Sequence, residues 1–524
     1  MAVADPTRPR RIASAIAIAV LPAIATLAIV HLRLDASLHD FVPSVWNDQV
    51  GYWTRILSFS DHGLSTGYYA PDEQLASITA NRFGVQGPFF PMTYGTAAAV
   101  FGWSESAPIF YNLAFLGIAL GAFVYVGRLG WAQAALTALL ALSFGPLLLY
   151  APTGSQESFH QAIAIVLALA FTALIARRDQ LPQGWRLAIL GFLLAASLVR
   201  FSWTLLLVPF AFLAYPPAGW RRALLELGAV AALTGAVLLF FGALTPPGQN
   251  SILITLSALP DAPGKTSQTV ASDAWENVKQ LFGPDIVDVT PVAPAPNAIS
   301  VQALVLCALL TLSIAVATGA VKRLPGVIDS PDDEVARREW LFHAYNLGSM
   351  LVAVIVLYLP AGYYRVLGAN LLLSLLVMVR FRRFAPVAAV GAIAVLTLPS
   401  LLSVYDGWRP NFEFDREEVD AQREALGFQL RYEPDPPSPW CNSLLLPVAN
   451  YDYRVTLIPA GIGVSYLVSD TFETIDQPLK SRYVLLDDAS VRDGVPASLD
   501  PPLREIGTSA AGRLYENPGS ECSR

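Results

Sequence analysis

The sequence predicts a polytopic α-helical membrane protein of about eleven transmembrane helices, ending in a small soluble α/β domain. Three observations predict it. Of the 524 residues 54% are hydrophobic and only 14% charged, against roughly 25% charged in a soluble globular domain. Apolar stretches close to the length that crosses a bilayer recur over residues 1–403. Charge is segregated: the 34 basic and 41 acidic residues give −7, and residues 404–524 hold 11 of the basic and 20 of the acidic ones, so the acid excess belongs to the tail. This composition excludes a soluble enzyme, a disordered chain and a nucleic-acid binder.

Taken in order, Arg8, Arg10 and Arg11 precede an apolar run from Ile12 to Val30. The run exceeds the roughly 7 to 15 apolar residues of a signal peptide and lacks a clear small-x-small cleavage site, so it reads as a retained first span. Further spans are expected over residues 106–126, 131–150, 158–176, 223–242, 301–319, 341–359, 364–379 and 385–403. Residues 187–217 are too long for one untilted helix and are interrupted by Arg200. Arg177 and Arg178 before them, and Arg221 and Arg222 after, set both ends on the cytoplasmic side, which makes a hairpin of two short spans with Arg200 near the far surface.

The N-terminus then lies inside and the tail outside, with 16 of the 23 basic residues before Val404 on the cytoplasmic side. Two large loops of the membrane domain, residues 35–105 and 243–300, share the outer side with the soluble domain, residues 404–524. Composition rich in alanine and arginine with few lysines suggests a bacterial cytoplasmic membrane facing the periplasm or cell wall.

The first loop mixes carboxylates with aromatics, a mixture suited to helices lying at the membrane interface, the alternative being an ordinary external loop. Within the second, the stretch from Ala258 to Ser300 is rich in proline and aspartate and reads as a cover over the site. In the tail, Asp415–Leu426 reads as a polar helix, and Ser443–Val448, Tyr453–Ile458, Val464–Val468 and Tyr483–Leu486 as strands. Cys441 and Cys522 pair if the tail sits in an oxidising compartment, or else are two separate thiols, while Cys307 lies in an apolar stretch as packing.

The first loop carries Asn47-Asp48-Gln49 and Tyr52, then His62-Gly63, then Gly87-Pro88-Phe89-Phe90-Pro91 entering an apolar helix. This order resembles the first loop of GT-C glycosyltransferases, the polytopic enzymes that include protein O-mannosyltransferases and bacterial lipid A aminoarabinose transferases. Gln156-Glu157-Ser158-Phe159 stands where that family has a second carboxylate, Leu198-Val199-Arg200 resembles its short hairpin with a basic residue at the turn, and Tyr363-Tyr364-Arg365 its Arg-Tyr pair. Three departures stand out: Gln49 replaces the commoner glutamate, Tyr364-Arg365 reverses the usual order, and the loop has no Asp-X-Asp triplet.

The resemblance implies transfer of a sugar, with inversion, from a polyprenyl-phosphate donor to a glycan, lipid or protein acceptor on the outer side. Membrane lipids are then partners and nucleic acid is not. No cofactor is required, and the missing triplet gives a divalent metal no support.

Such a reaction needs a base for the acceptor's proton and cations for the departing phosphate. Asp48 is the candidate base, against a solvated aspartate or helix cap. Glu157 either orients acceptor or sugar hydroxyls or caps the helix that follows. His160, three residues on, shares its helix face. Arg200 and Arg365 are arginines on short external turns within apolar sequence, suited to forked donation to phosphate, or else to pairing with loop carboxylates or lipid headgroups. Tyr52, Tyr364 and His62 complete the candidate binding set. Trp53, Tyr68 and Tyr69 stack on sugar or anchor at the interface, Pro88 and Pro91 shape a helix entry, and Arg55, Arg82, Lys265 and Lys279 read as solvated or headgroup cations. There is no phosphate-cradling glycine loop, Cys/His metal cluster or nucleophilic triad pattern. The competing readings are a transporter or flippase, and a catalytically silent scaffold subunit.

Overall fold

A computed structural model of the chain describes residues 8–45, 47–64, 87–244, 260–282, 296–321, 334–357, 363–447, 453–466, 478–487, 502–520 and 522. The helical body runs α1 (Arg8–Ala19), α2 (Leu21–Leu32), α3 (Asn47–His62), α4 (Phe89–Phe101), α5 (Ala107–Gly127), α6 (Trp131–Ser143), α7 (Gly145–Tyr150), α8 (Glu157–Arg177), α9 (Gln183–Val199), α10 (Leu207–Ala214), α11 (Trp220–Leu244), α12 (Pro263–Phe282), α13 (Pro296–Ala317), α14 (Glu334–Leu357), α15 (Tyr363–Arg380) and α16 (Phe384–Val404). Among the described residues five helical segments are long and apolar enough to cross a membrane: Arg8–Leu32, Ala107–Gly127, Glu157–Arg177, Trp220–Leu244 and Glu334–Val356. Other expected spans form shorter apolar helices, among them Trp131–Ser143, Gln183–Val199, Phe201–Ala214, Val301–Ala317 and Phe384–Pro399.

Helix α8 sits at the centre, with α5 on one side and α15 on the other. Its middle, from Ala162 to Ile175, is largely buried, with Val166, Leu169, Ala170 and Ala173 forming a half-buried stripe along one face. Helices α1 and α5 approach closely because Gly117 faces them: a Cβ there would lie 2.7 Å from the carbonyl oxygen of Ala19. The interrupted segment folds as α9, a 3₁₀ turn (Phe201–Leu206) and α10. Arg200 adopts an extended backbone, φ −148° and ψ 122°, and so ends α9.

The first loop departs from expectation. Helix α3 does not lie against lipid; Tyr52, Trp53, Thr54, Arg55 and Ile56 are buried where it packs between α4 and the tail. Arg55, expected to be solvated, is only 2% exposed and stands 5.9 Å over the Tyr52 ring. In the second loop, the described part of the expected cover is α12, docked on α14 by Asn277 Nδ2 donating to the Ile355 carbonyl at 2.9 Å.

The tail begins with a 3₁₀ segment (Tyr405–Phe412) and α17 (Arg416–Gln429), whose N-cap Asp415 accepts from the backbone N–H groups of Glu417 and Glu418. Five strands follow: β1 (Ser443–Leu446), β2 (Gly463–Tyr466), β3 (Tyr483–Leu486), β4 (Arg504–Ser509) and β5 (Gly512–Glu516). They form one sheet in the order β2-β1-β3-β5-β4, with β1 parallel to β2 and β3, and β5 antiparallel to β3 and β4. The stretch Tyr453–Ile458, expected as a strand, is instead a 3₁₀ turn (Tyr453–Leu457), because it crosses over between parallel β1 and β2. Cys441 and Cys522 form a disulfide with Cα atoms 5.3 Å apart, and Cys307 is a half-buried free thiol.

Body and tail share a core. Val42 and Val50, from the first loop and α3, pack with Val419, Leu457, Val464 and Leu485 of the tail. Buried Glu105 accepts ion pairs from two α17 arginines, Arg416 and Arg423, the latter at 2.7 Å. Removing one partner of such a pair leaves unmatched charge. Glu105→Gln is expected to weaken tail docking by about 3 kcal/mol, read as faster limited proteolysis of the tail at unchanged helix content.

Candidate active site

Four elements deliver four charged side chains to one place. Asp48 comes from the first turn of α3, Glu157 from the first residue of α8, Arg200 from the break after α9, and Arg365 from the first turn of α15. Arg365 joins them: its Nη1 donates to Asp48 Oδ2 at 2.6 Å and its Nε to Glu157 Oε1 at 2.8 Å. Arg200 Nη2 reaches the same Glu157 oxygen at 3.2 Å. The result is a chain of alternating sign, Asp48, Arg365, Glu157, Arg200, with two charges of each kind. The pairing foreseen as an alternative for the arginines is therefore present, and it gathers them with both carboxylates.

Exposure separates the two acids. The Asp48 side chain is 23% exposed and that of Glu157 1%, so Asp48 is the one an incoming molecule reaches. Glu157 spends one oxygen on the two arginines, while its Oε2 is buried with no partner among the described residues. In the same condition are Ser155 Oγ, Gln156 Oε1, Ser158 Oγ, His160 Nε2 and the Tyr52 hydroxyl. Buried polar groups are normally satisfied. A run of unsatisfied ones beside the ion-paired chain marks a place for polar ligand atoms or water.

A hydrogen-bonded frame holds the carboxylates in register. Gln49 Oε1 accepts from the Gly154 N–H at 2.9 Å, tying α3 to the loop that enters α8. Its amide nitrogen donates to the Val45 carbonyl at 3.0 Å and to Asn411 Oδ1 at 3.3 Å. A carboxylate here would have no proton to donate, which accounts for glutamine in place of glutamate. Asn411 Oδ1 also accepts from the N–H groups of Ser44 and Val45, both at 2.9 Å, and fixes the approach to α3. On the other side Asn112 Nδ2 donates to the carbonyls of Thr153 and Ser155, at 2.9 and 3.1 Å, while its oxygen accepts from the Tyr94 hydroxyl.

His160 lies one turn below Glu157 and is buried, its Nδ1 accepting from Trp203 Nε1 at 3.1 Å. Tyr52 is edge-on to Phe90 at 5.1 Å between ring centroids. Burial, and next the Asp48 carboxylate, push its phenol well above the ordinary value, with Arg365 opposing.

His62 is not part of this cluster. At the far end of α3 it stacks on Tyr432 of the tail, ring centroids 4.2 Å apart, and Gly461, with φ +87°, passes so close that a Cβ would meet the imidazole at 2.8 Å. Tyr364 belongs to the start of α15, its side chain outside the described residues, as are Tyr68, Tyr69 and Arg82. Trp53 packs on Trp103, ring centroids 5.4 Å apart, under the Arg423 guanidinium. Lys279 pairs with Glu276 on α12. Sequence reasoning missed Asn411 and Trp203. Asn411 sits in an irregular Asp-Gly-Trp-Arg-Pro-Asn-Phe stretch without periodicity, and Trp203 is one apolar residue among many.

No family model matches the chain, and no curated protein matches it. Among solved structures, the crystal structure of an Archaeoglobus fulgidus oligosaccharyltransferase, tethered by a disulfide to an acceptor peptide with the NVT sequon, is similar to it at 14% identity and a TM-score of 0.43, over 95% of this chain and 73% of that one. A likeness this loose carries no argument about chemistry.

Two outcomes follow from the frame. Gln49→Glu, isosteric but without a donor, is expected to lower stability by about 1–3 kcal/mol, read as a lower Tm. Because the Tyr52 phenol is raised above 10.0, its contribution to stability is intact below that pH and is lost as pH rises beyond it. Tyr52→Phe should flatten the alkaline side of the Tm-against-pH curve.

Proposed function

We propose that this chain is a membrane glycosyltransferase of the GT-C kind, moving a sugar with inversion from a polyprenyl-phosphate donor to an acceptor on the extracytoplasmic side of a bacterial cytoplasmic membrane. The observation that carries the reading is the bridge from Arg365 to both Asp48 and Glu157, backed by Arg200, at the ends of apolar helices. Guanidinium groups bind phosphate and carboxylate with the same forked donors. A donor phosphate would compete with the carboxylates for Arg365 and Arg200. Exchange onto phosphate releases the Arg365 hydrogen bond from Asp48 Oδ2, which then faces an acceptor hydroxyl.

The acceptor oxygen then attacks the anomeric carbon as the bond from that carbon to the phosphate oxygen breaks. Its proton passes to Asp48, and the departing phosphate keeps the electron pair against the arginines. The unsatisfied Glu157 Oε2, Ser158 hydroxyl and Tyr52 hydroxyl are the groups available to hold sugar hydroxyls. The spans expected from the sequence, about eleven with the N-terminus inside and the tail outside, agree with this sidedness, and the Cys441–Cys522 disulfide suits an oxidising compartment.

The test uses the purified protein in lipid vesicles with a panel of polyprenyl-phosphate sugars and an envelope extract as acceptor source. Wild type is expected to release polyprenyl phosphate from one donor. Asp48→Asn should reduce that release by about 10²–10⁴-fold with donor binding retained. Arg365→Gln should weaken donor binding itself. No release from any donor overturns the reading in favour of transport or a scaffold role.

A further inference from the structure

The opposite end of the helical body carries a second feature, about 30 Å from Glu157 along the 21-residue α8. Helix α11 is apolar enough to cross a membrane, yet only 6% of its spanning window is buried in the protein. Between it and the α9–α10 hairpin lies a groove of about 710 Å³ whose floor is apolar, with Leu207, Phe210, Leu225, Val230 and Leu233 along it. One end of the groove is basic, formed by Arg221 and Arg222, with Tyr215 and Glu226 beside them.

This mouth is built rather than incidental. The Tyr215 hydroxyl accepts from Gln183 Nε2 at 2.8 Å, and the Arg186 guanidinium lies 5.4 Å over its ring. Arg186 Nη2 donates to the Arg178 carbonyl at 2.8 Å, whereas its buried Nε has no partner among the described residues. Arg222 pairs with Glu226 at 3.3 Å, with the arginine largely exposed, and Arg221 lies 5.4 Å over the ring of its neighbour Trp220. Among the described residues Glu226 is the single acid lining the groove, and it pairs with Arg222 beside Arg221. Cations therefore outnumber the acid at the mouth of an apolar groove flanked by a helix long and apolar enough to cross a membrane.

We propose that this groove is a binding site for an anionic phospholipid, its acyl chain along the α10–α11 floor and its phosphate against Arg221 and Arg222. The charge balance selects the occupant. A zwitterionic headgroup would bring its own cation toward Arg221 and Arg222, and a packed protein helix would have to bury two guanidinium groups with one carboxylate to match them. A lipid phosphate meets them at the interface, where basic pockets between helices take acidic headgroups. Nothing in this assignment depends on the reaction proposed above.

Native mass spectrometry of the full-length protein, delipidated and offered equal amounts of phosphatidylglycerol and phosphatidylcholine, tests it. Wild type should retain one phosphatidylglycerol in preference. The preference should fall by about fivefold for each arginine removed in Arg221→Ala and Arg222→Ala. Leu225→Trp, which fills the groove at an exposed position and keeps both arginines, should also lose the bound lipid, while Arg8→Ala with Arg10→Ala should keep it. Equal retention of the two lipids by wild type overturns the proposal. So does an undiminished preference in either groove variant, or a loss in the Arg8/Arg10 control equal to theirs.

Discussion

The Arg365 guanidinium is the joint on which this end of the molecule turns. A charge taken out of water is tolerated only when it is matched and hydrogen-bonded, and here each of four charges is matched by a residue from another element. Helix α3 cannot shift without breaking the Arg365 pair with Asp48, and the α9–α10 hairpin cannot shift without loosening Glu157. One bridging side chain thus converts a long first loop, a helix start, a hairpin turn and a late helix into one unit. The unequal exposure of Asp48 and Glu157 gives this unit a direction, open on one side and closed on the other.

The tail completes the unit from behind. Asn411 gathers the backbone before α3, Gln49 passes that support across to Gly154, and Glu105 fastens α17 to the body through two arginines. Placement of Asp48 is therefore shared between residues early in the chain and residues more than 360 positions later. Such an arrangement holds a site on rigid supports although its carboxylate lies in a connecting segment.

Much of the site was legible because charge is conspicuous in apolar sequence. Arg200 interrupts an otherwise uniform run, Glu157 and Arg365 stand at the edges of such runs, and Asp48 follows the first one on the same side. Pairing with loop carboxylates was open as an alternative, but which acid meets which arginine was not legible, since that depends on tertiary approach that periodicity does not encode. The α3 helix was misplaced at the interface because its aromatics fit burial under a tail as well as they fit lipid. Tyr453–Ile458 has the short apolar pattern of a strand and is a turn, because such patterns record burial more than backbone shape. Strand β4 escaped for the opposite reason: as an edge strand with largely exposed residues, Arg504–Ser509 has little hydrophobic signal to detect. His62 followed the resemblance in sequence order, yet fifteen residues of helix carry it a distance of about 20 Å from the start of α3.

The shared core of Val42 and Val50 with the sheet has a consequence for biosynthesis. The residues that close the tail's core are made early, and the strands they meet are made last. A ribosome that stops before residue 443 leaves Val42 and Val50 without the strands that cover them, and a tail severed from the body lacks two of its own core side chains. Burial of Val42 and Val50 thus waits for the strands of the sheet, although both residues are made hundreds of positions earlier.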